Sequence, residues 1–180
     1  MKLDWNHIIS DGWTLFLDRD GVVNRRIVDG YVTSWEEFEF LPGVLEAMGI
    51  LAMRFKYIVI VTNQQGVGKG LMTMEQVDAI HDRMCSEIES RGGRIDGILV
   101  CPQLATEPDN FRKPDPAMAY IAKETYPEID LQKCIMVGDG ATDIEFGRNA
   151  GTRTVFIGDE NPDADDCYTS LIEFANCLKL

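Results

Sequence analysis

Five short apolar runs, at residues 14–17, 57–61, 97–101, 134–137 and 152–157, alternate with stretches of helical period, and this order restricts the fold more than any other feature. Strands joined through helices lie parallel, because a tight turn can only reverse the chain. The intervals carry the helices such a sheet needs. Val44, Leu45, Met48, Leu51, Ala52 and Phe55 share one helical face, as do Val77, Ile80, Met84 and Ile88. Thr73 and Gln76 form a capping pattern before the second helix, and Gly92 with Gly93 stops it. Asp115 is placed to cap a helix opening at Pro116, and Gly151 to close the short helix after Asp143. The tail from Asp166 reads as a last helix with Leu171, Phe174 and Leu178 on one side. The expectation is an α/β, three-layer, Rossmann-like fold around a parallel β-sheet. With 180 residues, 45% of them apolar, and no break in composition, residues 1–180 read as a single domain.

In open sheets of this kind ligands bind beyond the carboxyl ends of the strands. Asp18 and Asp20 follow the first run, Thr62 and Asn63 the second, and Asp139 and Asp143 the fourth, while Lys113 lies in the long connection after the third. If extended geometry persists, strand alternation sends Asp18 and Asp20 to one side. Two nearby carboxylates demand a cation or a shared proton, and Asp139 adds a further hard oxygen suited to magnesium. A divalent ion would let a phosphate approach the acids. One carboxylate could then attack phosphorus while the other protonates the leaving oxygen and activates water. Thr62, Asn63 and Lys113 would bind the remaining phosphoryl oxygens. Taken singly, each piece has a plainer reading: a solvated turn for the acid pair, a helix cap for Thr62 and Asn63, a surface lysine for Lys113, a decorated first turn for Asp139 and Asp143. The serial order DxDG, TNQ, RKPDP, GDxxxD is what makes the set specific.

Through LDRDGVVN, VTNQ, FRKPDP and VGDGATD the chain resembles the haloacid dehalogenase-like phosphatase superfamily over nearly its whole length. The resemblance implies Asp18 as nucleophile, Asp20 as general acid and base, and Thr62 and Lys113 as holders of the phosphoryl group. It also implies Mg2+ bound by the Asp18 carboxylate, the Asp20 carbonyl and Asp139, with Asp143 supporting the metal site or orienting Lys113. The intervals between motifs are too short for a separate cap, so a capless enzyme is implied. Residues 25–40 then form a flap whose Tyr31 and Trp35 either line the mouth or join the core. Within the superfamily the chain is similar to the subfamily of histidinol-phosphate and heptose 1,7-bisphosphate phosphatases. DRDGVVN, GYV, FEFLPGV, TNQQGVGKG and RKP match the heptose branch, whereas GDGATDIE and the spacing from Cys101 to Arg112 match the histidinol branch. The heptose-like strings lie in the flap and phosphate loops. D-glycero-D-manno-heptose 1,7-bisphosphate therefore ranks first as substrate and histidinol phosphate second, with Asn63 and Arg112 as substrate-binding residues; Arg112 can hold a hydroxyl or a second phosphate. Relatives in both branches hold zinc in a loop of the form CPH…CxCRKP. Here CPQLATEPDNFRKP keeps Cys101, but Gln103, Asp109 and Phe111 fill the other three positions, so no zinc is expected. Gly140 stands where close relatives often carry Lys or Arg.

The remaining features exclude other classes. A net charge of −13 repels nucleic acid. No apolar run is long enough to cross a bilayer and the N-terminus does not read as a signal peptide, so a cytoplasmic protein with no membrane partner is expected. Five cysteines without CxxC spacing read as reduced and mostly buried. QQGVGKGL fails the Walker pattern at Asn63 and Gly70 and the dinucleotide pattern at Leu71. His7 and His81 read as structural or surface residues, the latter away from the strand edge, which disfavours a Ser-His-Asp hydrolase. A signalling receiver domain uses similar groups, but it keeps its phosphorylated Asp on a middle strand, and here no Asp ends the third run. A catalytically dead binding domain has no support, since every catalytic position is filled. The expected partner is a small-molecule phosphate ester; the oligomeric state is open.

Overall fold

The computed structural model describes residues 3–179. Six strands, β1 (Thr14–Leu17), β2 (Tyr57–Asn63), β3 (Gly97–Cys101), β4 (Cys134–Gly138), β5 (Arg153–Ile157) and β6 (Asp166–Tyr168), pair in parallel in the order β3-β2-β1-β4-β5-β6. That is the Rossmann order, and its direction reverses between β1 and β4. Among the described residues seven helices complete the fold: α1 (Trp5–Ile8), α2 (Val44–Arg54), α3 (Gln65–Gly68), α4 (Met74–Ser90), α5 (Ala117–Thr125), α6 (Ala141–Ala150) and α7 (Leu171–Asn176).

Strand alternation divides the core into two layers. Leu15, Leu17, Ile58, Ile60, Ile135 and Val137 pack with α1, α2, α4 and α7, whereas Phe16, Val59, Val61 and Met136 pack with α5 and α6. Both faces are covered by helices, which is why the central strands read as unbroken apolar runs. On α4 the predicted face is wholly buried at Val77, Met84 and Ile88 and nearly so at Ile80, each side chain contributing about 1.5–3 kcal/mol. Its Thr73–Gln76 capping box is present in both directions, with hydrogen bonds of 2.8 and 3.3 Å. No cap domain interrupts the sheet: between β1 and β2 the chain makes only the flap, a 3-10 turn at Trp35–Glu37, and α2.

Several boundaries differ from the sequence expectation. Thr62 and Asn63 belong to β2 itself, because β3 continues the ladder through Thr62↔Val100 and Asn63↔Cys101. The residues from Asp166 begin as a strand beside β5, and the helix starts only after Ser170, whose hydroxyl accepts the Glu173 N–H. The Asp166 carboxylate collects the Leu3 N–H, the Trp5 indole N–H and the Tyr168 hydroxyl at 2.9–3.0 Å, and the Trp5 ring meets Phe174 edge-on. α5 opens at Ala117 rather than at Pro116, with the Asp115 carboxylate accepting the Ala117 N–H at 2.8 Å. All five cysteines are free; Cys101 and Cys134 are buried and the other three half-buried. No helix among the described residues is long and apolar enough to cross a membrane.

Candidate active site

The register aligns Leu17 with both Ile60 and Val137, so the loops after β1, β2 and β4 leave the sheet side by side at its switch point. The Asp18 N–H donates to the Val137 carbonyl at 3.0 Å, and this last bond fixes the carboxylate at the sheet edge. Lys113 enters from the connection before α5. Its Nζ lies 2.7 Å from Asp18 Oδ1, 2.6 Å from Asp143 Oδ1 and 2.8 Å from the Val61 carbonyl, so all three ammonium protons have acceptors. A lone ammonium this deep would cost several kcal/mol; two carboxylates reverse that, and Lys113 titrates above its ordinary value despite its burial. Asp143 thus pairs with Lys113 as Asp18 does.

The three acids share more negative charge than one lysine balances. Burial and the neighbouring Asp143 lift Asp18 to about 7. Burial likewise lifts Asp139 to about 6, although Arg26 of the flap reaches it at 3.0 Å and pulls the other way. Oxygens of Asp18, Asp139 and Asp143 lie within 4.8 Å of one another, a set of hard donors that fits magnesium, which holds few carboxylates and keeps its waters. Two glycines make this closeness possible. A Cβ on Gly21, which sits at φ +99°, would fall 2.0 Å from Asp139 Oδ2, and one on Gly138 would fall 2.1 Å from the Asp143 Cβ.

Asp20 occupies a different environment. The strand ends at Leu17, so alternation does not set its direction; side-chain bonds do. Arg19 Nη2 donates to both carboxylate oxygens at 2.9–3.0 Å, Asn24 Nδ2 to one and Gln64 Nε2 to the other, each at 2.9 Å. Burial alone would raise the Asp20 pKa, but Arg19, Asn24 and Gln64 together hold it below the usual carboxylate value. Gln64 also donates to Thr62 Oγ1 at 2.8 Å, joining two predicted site residues. Arg19 is fully buried, and its Nη1 lies 3.1 Å from His81 Nε2. A guanidinium only donates, so that nitrogen accepts and the His81 proton sits on Nδ1. Burial, with Arg19 beside it, lowers the His81 pKa to about 4. Thus His81 touches Arg19, between Asp18 and Asp20, rather than lying away from the edge.

Asn63 uses both ends of its amide on the Lys113 backbone, Oδ1 accepting the N–H at 3.0 Å and Nδ2 donating to the carbonyl at 3.2 Å. These bonds tie Asn63 to the Lys113 backbone, a contact that spacing alone does not give, while the residue still lines the cavity. The two flap aromatics part company. Tyr31 lines the cavity, whereas Trp35 stacks on Phe38 at 4.9 Å and packs on Phe40, away from it. The cavity, about 460 Å³, runs from Asp18, Asp20, Lys113 and Asp143 to Lys69 and Arg112, with Arg26, Ile27 and the stretch from Asp29 to Val32 of the flap as one wall. Arg26 and Lys69 were not singled out from sequence; the Arg25–Arg26 pair of the flap and the lone lysine of QQGVGKG were the available signals. In the 101–112 loop Gln103 Oε1 accepts the Phe111 N–H at 3.3 Å and lies 3.9 Å from Cys101 Sγ, so one amide joins three of the four positions occupied by ligands in zinc-binding relatives. Gly140 opens α6 and donates its N–H to Asp143 Oδ2 at 2.9 Å.

A buried Asp held against Lys, with a second Asp two residues on and an acid set fit for magnesium at a Rossmann switch point, defines a haloacid dehalogenase-like phosphatase. The HAD-hydrolase-like family model matches residues 110–174. The D-glycero-alpha-D-manno-heptose-1,7-bisphosphate 7-phosphatase of Mycobacterium tuberculosis is 41% identical over 170 residues, covering 91% of this chain and 90% of its own. The enzyme of the same name from Campylobacter jejuni is 34% identical over 92% of this chain and 95% of its own. The structure of the D,D-heptose 1,7-bisphosphate phosphatase from B. bronchiseptica complexed with magnesium and phosphate superposes with a TM-score of 0.84 at 30% identity, covering 92% of this chain and 97% of that one. The chain belongs to the D-glycero-D-manno-heptose-1,7-bisphosphate 7-phosphatase family of HAD-like hydrolases.

Proposed function

We propose that residues 1–180 act as one cytoplasmic domain that hydrolyses the 7-phosphate of a D-glycero-D-manno-heptose 1,7-bisphosphate. The observation that carries this reading is a cavity charged at both ends: the nucleophile, Lys113 and metal-binding acids at one, Lys69 and Arg112 at the other. A bisphosphate needs both ends, and a monophosphate needs one. Histidinol phosphate has no second phosphate for Arg112 and Lys69 to hold.

In this reading Asp18 attacks phosphorus. A carboxylate–phosphorus bond forms as the bond to the sugar oxygen breaks, and Asp20 gives that oxygen its proton. Asp20 then takes a proton from water, which attacks the acyl phosphate and releases inorganic phosphate and free Asp18. The anionic resting state of Asp20, tied to Arg19, suits this second step; for the first, the arriving phosphoester must bring the proton or raise the Asp20 pKa by its own charge. Thr62 and Lys113 hold phosphoryl oxygens, with Lys113 kept in place by Asp143 and Asn63. Asp18, Asp139 and the Asp20 carbonyl would hold magnesium, which neutralises phosphoryl charge so that an anionic nucleophile can approach. Arg112 and Lys69 receive the second phosphate and Tyr31 borders it. Steady-state kinetics on both heptose 1,7-bisphosphate anomers and on histidinol phosphate test the assignment. A heptose kcat/KM higher by about tenfold or more, roughly 1.4 kcal/mol, is expected, and the reverse ranking would refute it.

A further inference from the structure

We propose that Gln65, which opens α3, sets specificity for the non-reacting end of the substrate by fixing Arg112 and the flap in one arrangement; this rests on the bisphosphate reading above. Adjacent glutamines of the TNQQ stretch turn opposite ways. Gln64 is buried against Asp20 and Thr62, while Gln65 bonds to Tyr31 and Arg112, which line the cavity. Its Oε1 accepts the Ala105 N–H and Arg112 Nη1, each at 3.0 Å, using both lone pairs. Its Nε2 donates to the Tyr31 hydroxyl at 3.3 Å.

One amide thus joins two segments that no secondary structure connects: the flap, through Tyr31, and the 101–112 loop, at Ala105 and at the distal cation Arg112. Lys69 completes the group, its Nζ 5.2 Å from the Tyr31 ring centroid, and hydrogen bonds from Lys69 and Gln65 pull the Tyr31 hydroxyl below its ordinary pKa. Neutrality is what suits Gln65 to this position. A carboxylate would hold Arg112 as firmly but cancel its charge, whereas the amide fixes the guanidinium and leaves its charge and most of its donors for an anion. Gln65 touches no reacting atom; it is a positioning residue, and its effect should depend on whether the substrate carries a second charged group.

The test compares Gln65→Ala and Gln65→Glu with wild type on heptose 1,7-bisphosphate and on p-nitrophenyl phosphate, a monoester with no distal phosphate. The ratio of kcat/KM values, bisphosphate over monoester, should fall about tenfold in Gln65→Ala, mostly through KM, and at least as far in Gln65→Glu. An unchanged ratio in both variants would overturn the proposal, even if absolute rates fell. Failure of the bisphosphate reading would show separately, as a wild-type ratio near one. Amide hydrogen exchange then decides the positioning role alone: faster exchange in residues 26–32 and 104–112 of Gln65→Ala supports it, and unchanged exchange in both segments refutes it.

Discussion

The two ends of the cavity are built by opposite means. Around Asp18 the groups are charged, buried and crowded; Lys113 alone meets two carboxylates and a backbone carbonyl. At the mouth the ties are neutral amides: Gln65 to Arg112, Ala105 and Tyr31, and Gln103 to Phe111. Charge at the buried end is strong because water is excluded, and it stays organised because each group has a partner. At the wet end an ion pair would be worth little and would consume the cation meant for substrate. The molecule separates the chemistry, which must be rigid, from recognition, which must leave charge free.

The largest effect should come from Asp18→Asn. Turnover should fall by about 10⁴-fold or more, since the nucleophile is lost, while the fold survives. Because burial already opposes the Asp18 charge, the metal-free variant should melt no lower than wild type; a variant with substantial activity would refute the covalent route. Asp20→Asn should slow turnover by about 10²–10⁴-fold with KM little changed, and burst kinetics should show the phosphorylated enzyme accumulating if the second proton transfer suffers more. Near-wild-type rates would remove Asp20 from that role.

Lys113→Met tests whether the buried end needs its cation. Asp18 and Asp143 would face each other unpaired, so denaturant unfolding in chelator should lose about 3 kcal/mol, with part regained on adding magnesium. Equal stability with and without the metal would count against the acid set as its site. A smaller effect should follow pH. The His81 pKa falls from 6.5 unfolded to about 4 folded, so the folded state binds fewer protons in that window and stability is lost as pH falls through it. Asp18 shifts the opposite way and acts oppositely in metal-free protein, so the comparison must be with His81→Gln, which keeps a neutral acceptor for Arg19. From pH 7 to 5, wild type should lose about 2 kcal/mol relative to that variant, and parallel curves would show that His81 is not held neutral. The smallest effect belongs to the mouth. Purified protein should carry no stoichiometric zinc, checked by elemental analysis, and chelation followed by magnesium should restore full activity; about one tightly bound zinc per chain would contradict the amide clasp.

Much of this was legible in sequence. Strand positions, the Thr73 capping box and the acids of the switch point follow from period and spacing, which are local. What escaped was set by distant partners. A three-residue strand at Asp166 has too few residues to show alternation, and the following helical period hid it. His81 lies on a correctly read helix, but periodicity gives the face of a helix and not what packs on it. The tie of Asn63 to the Lys113 backbone escaped because it spans 50 positions, although Asn63 also lines the cavity. Trp35 and Tyr31 share one flap and similar chemistry; only the surrounding Phe38 and Phe40 decide which turns inward.

The Asp166 carboxylate, holding Leu3 and Trp5 to the edge of the sheet, gives the fold an order in time. Synthesis delivers Trp5 161 positions before Asp166, so its buried site, formed by Asp166 and Phe174, exists only when α7 has been made. A nascent chain halted before that point would have the central strands, the catalytic acids and Lys113 but an indole with no place to bury. The acids and Lys113 are encoded before the segment that closes the domain, and Asp166 with Phe174 decides whether the indole is sealed or left exposed for chaperones to bind.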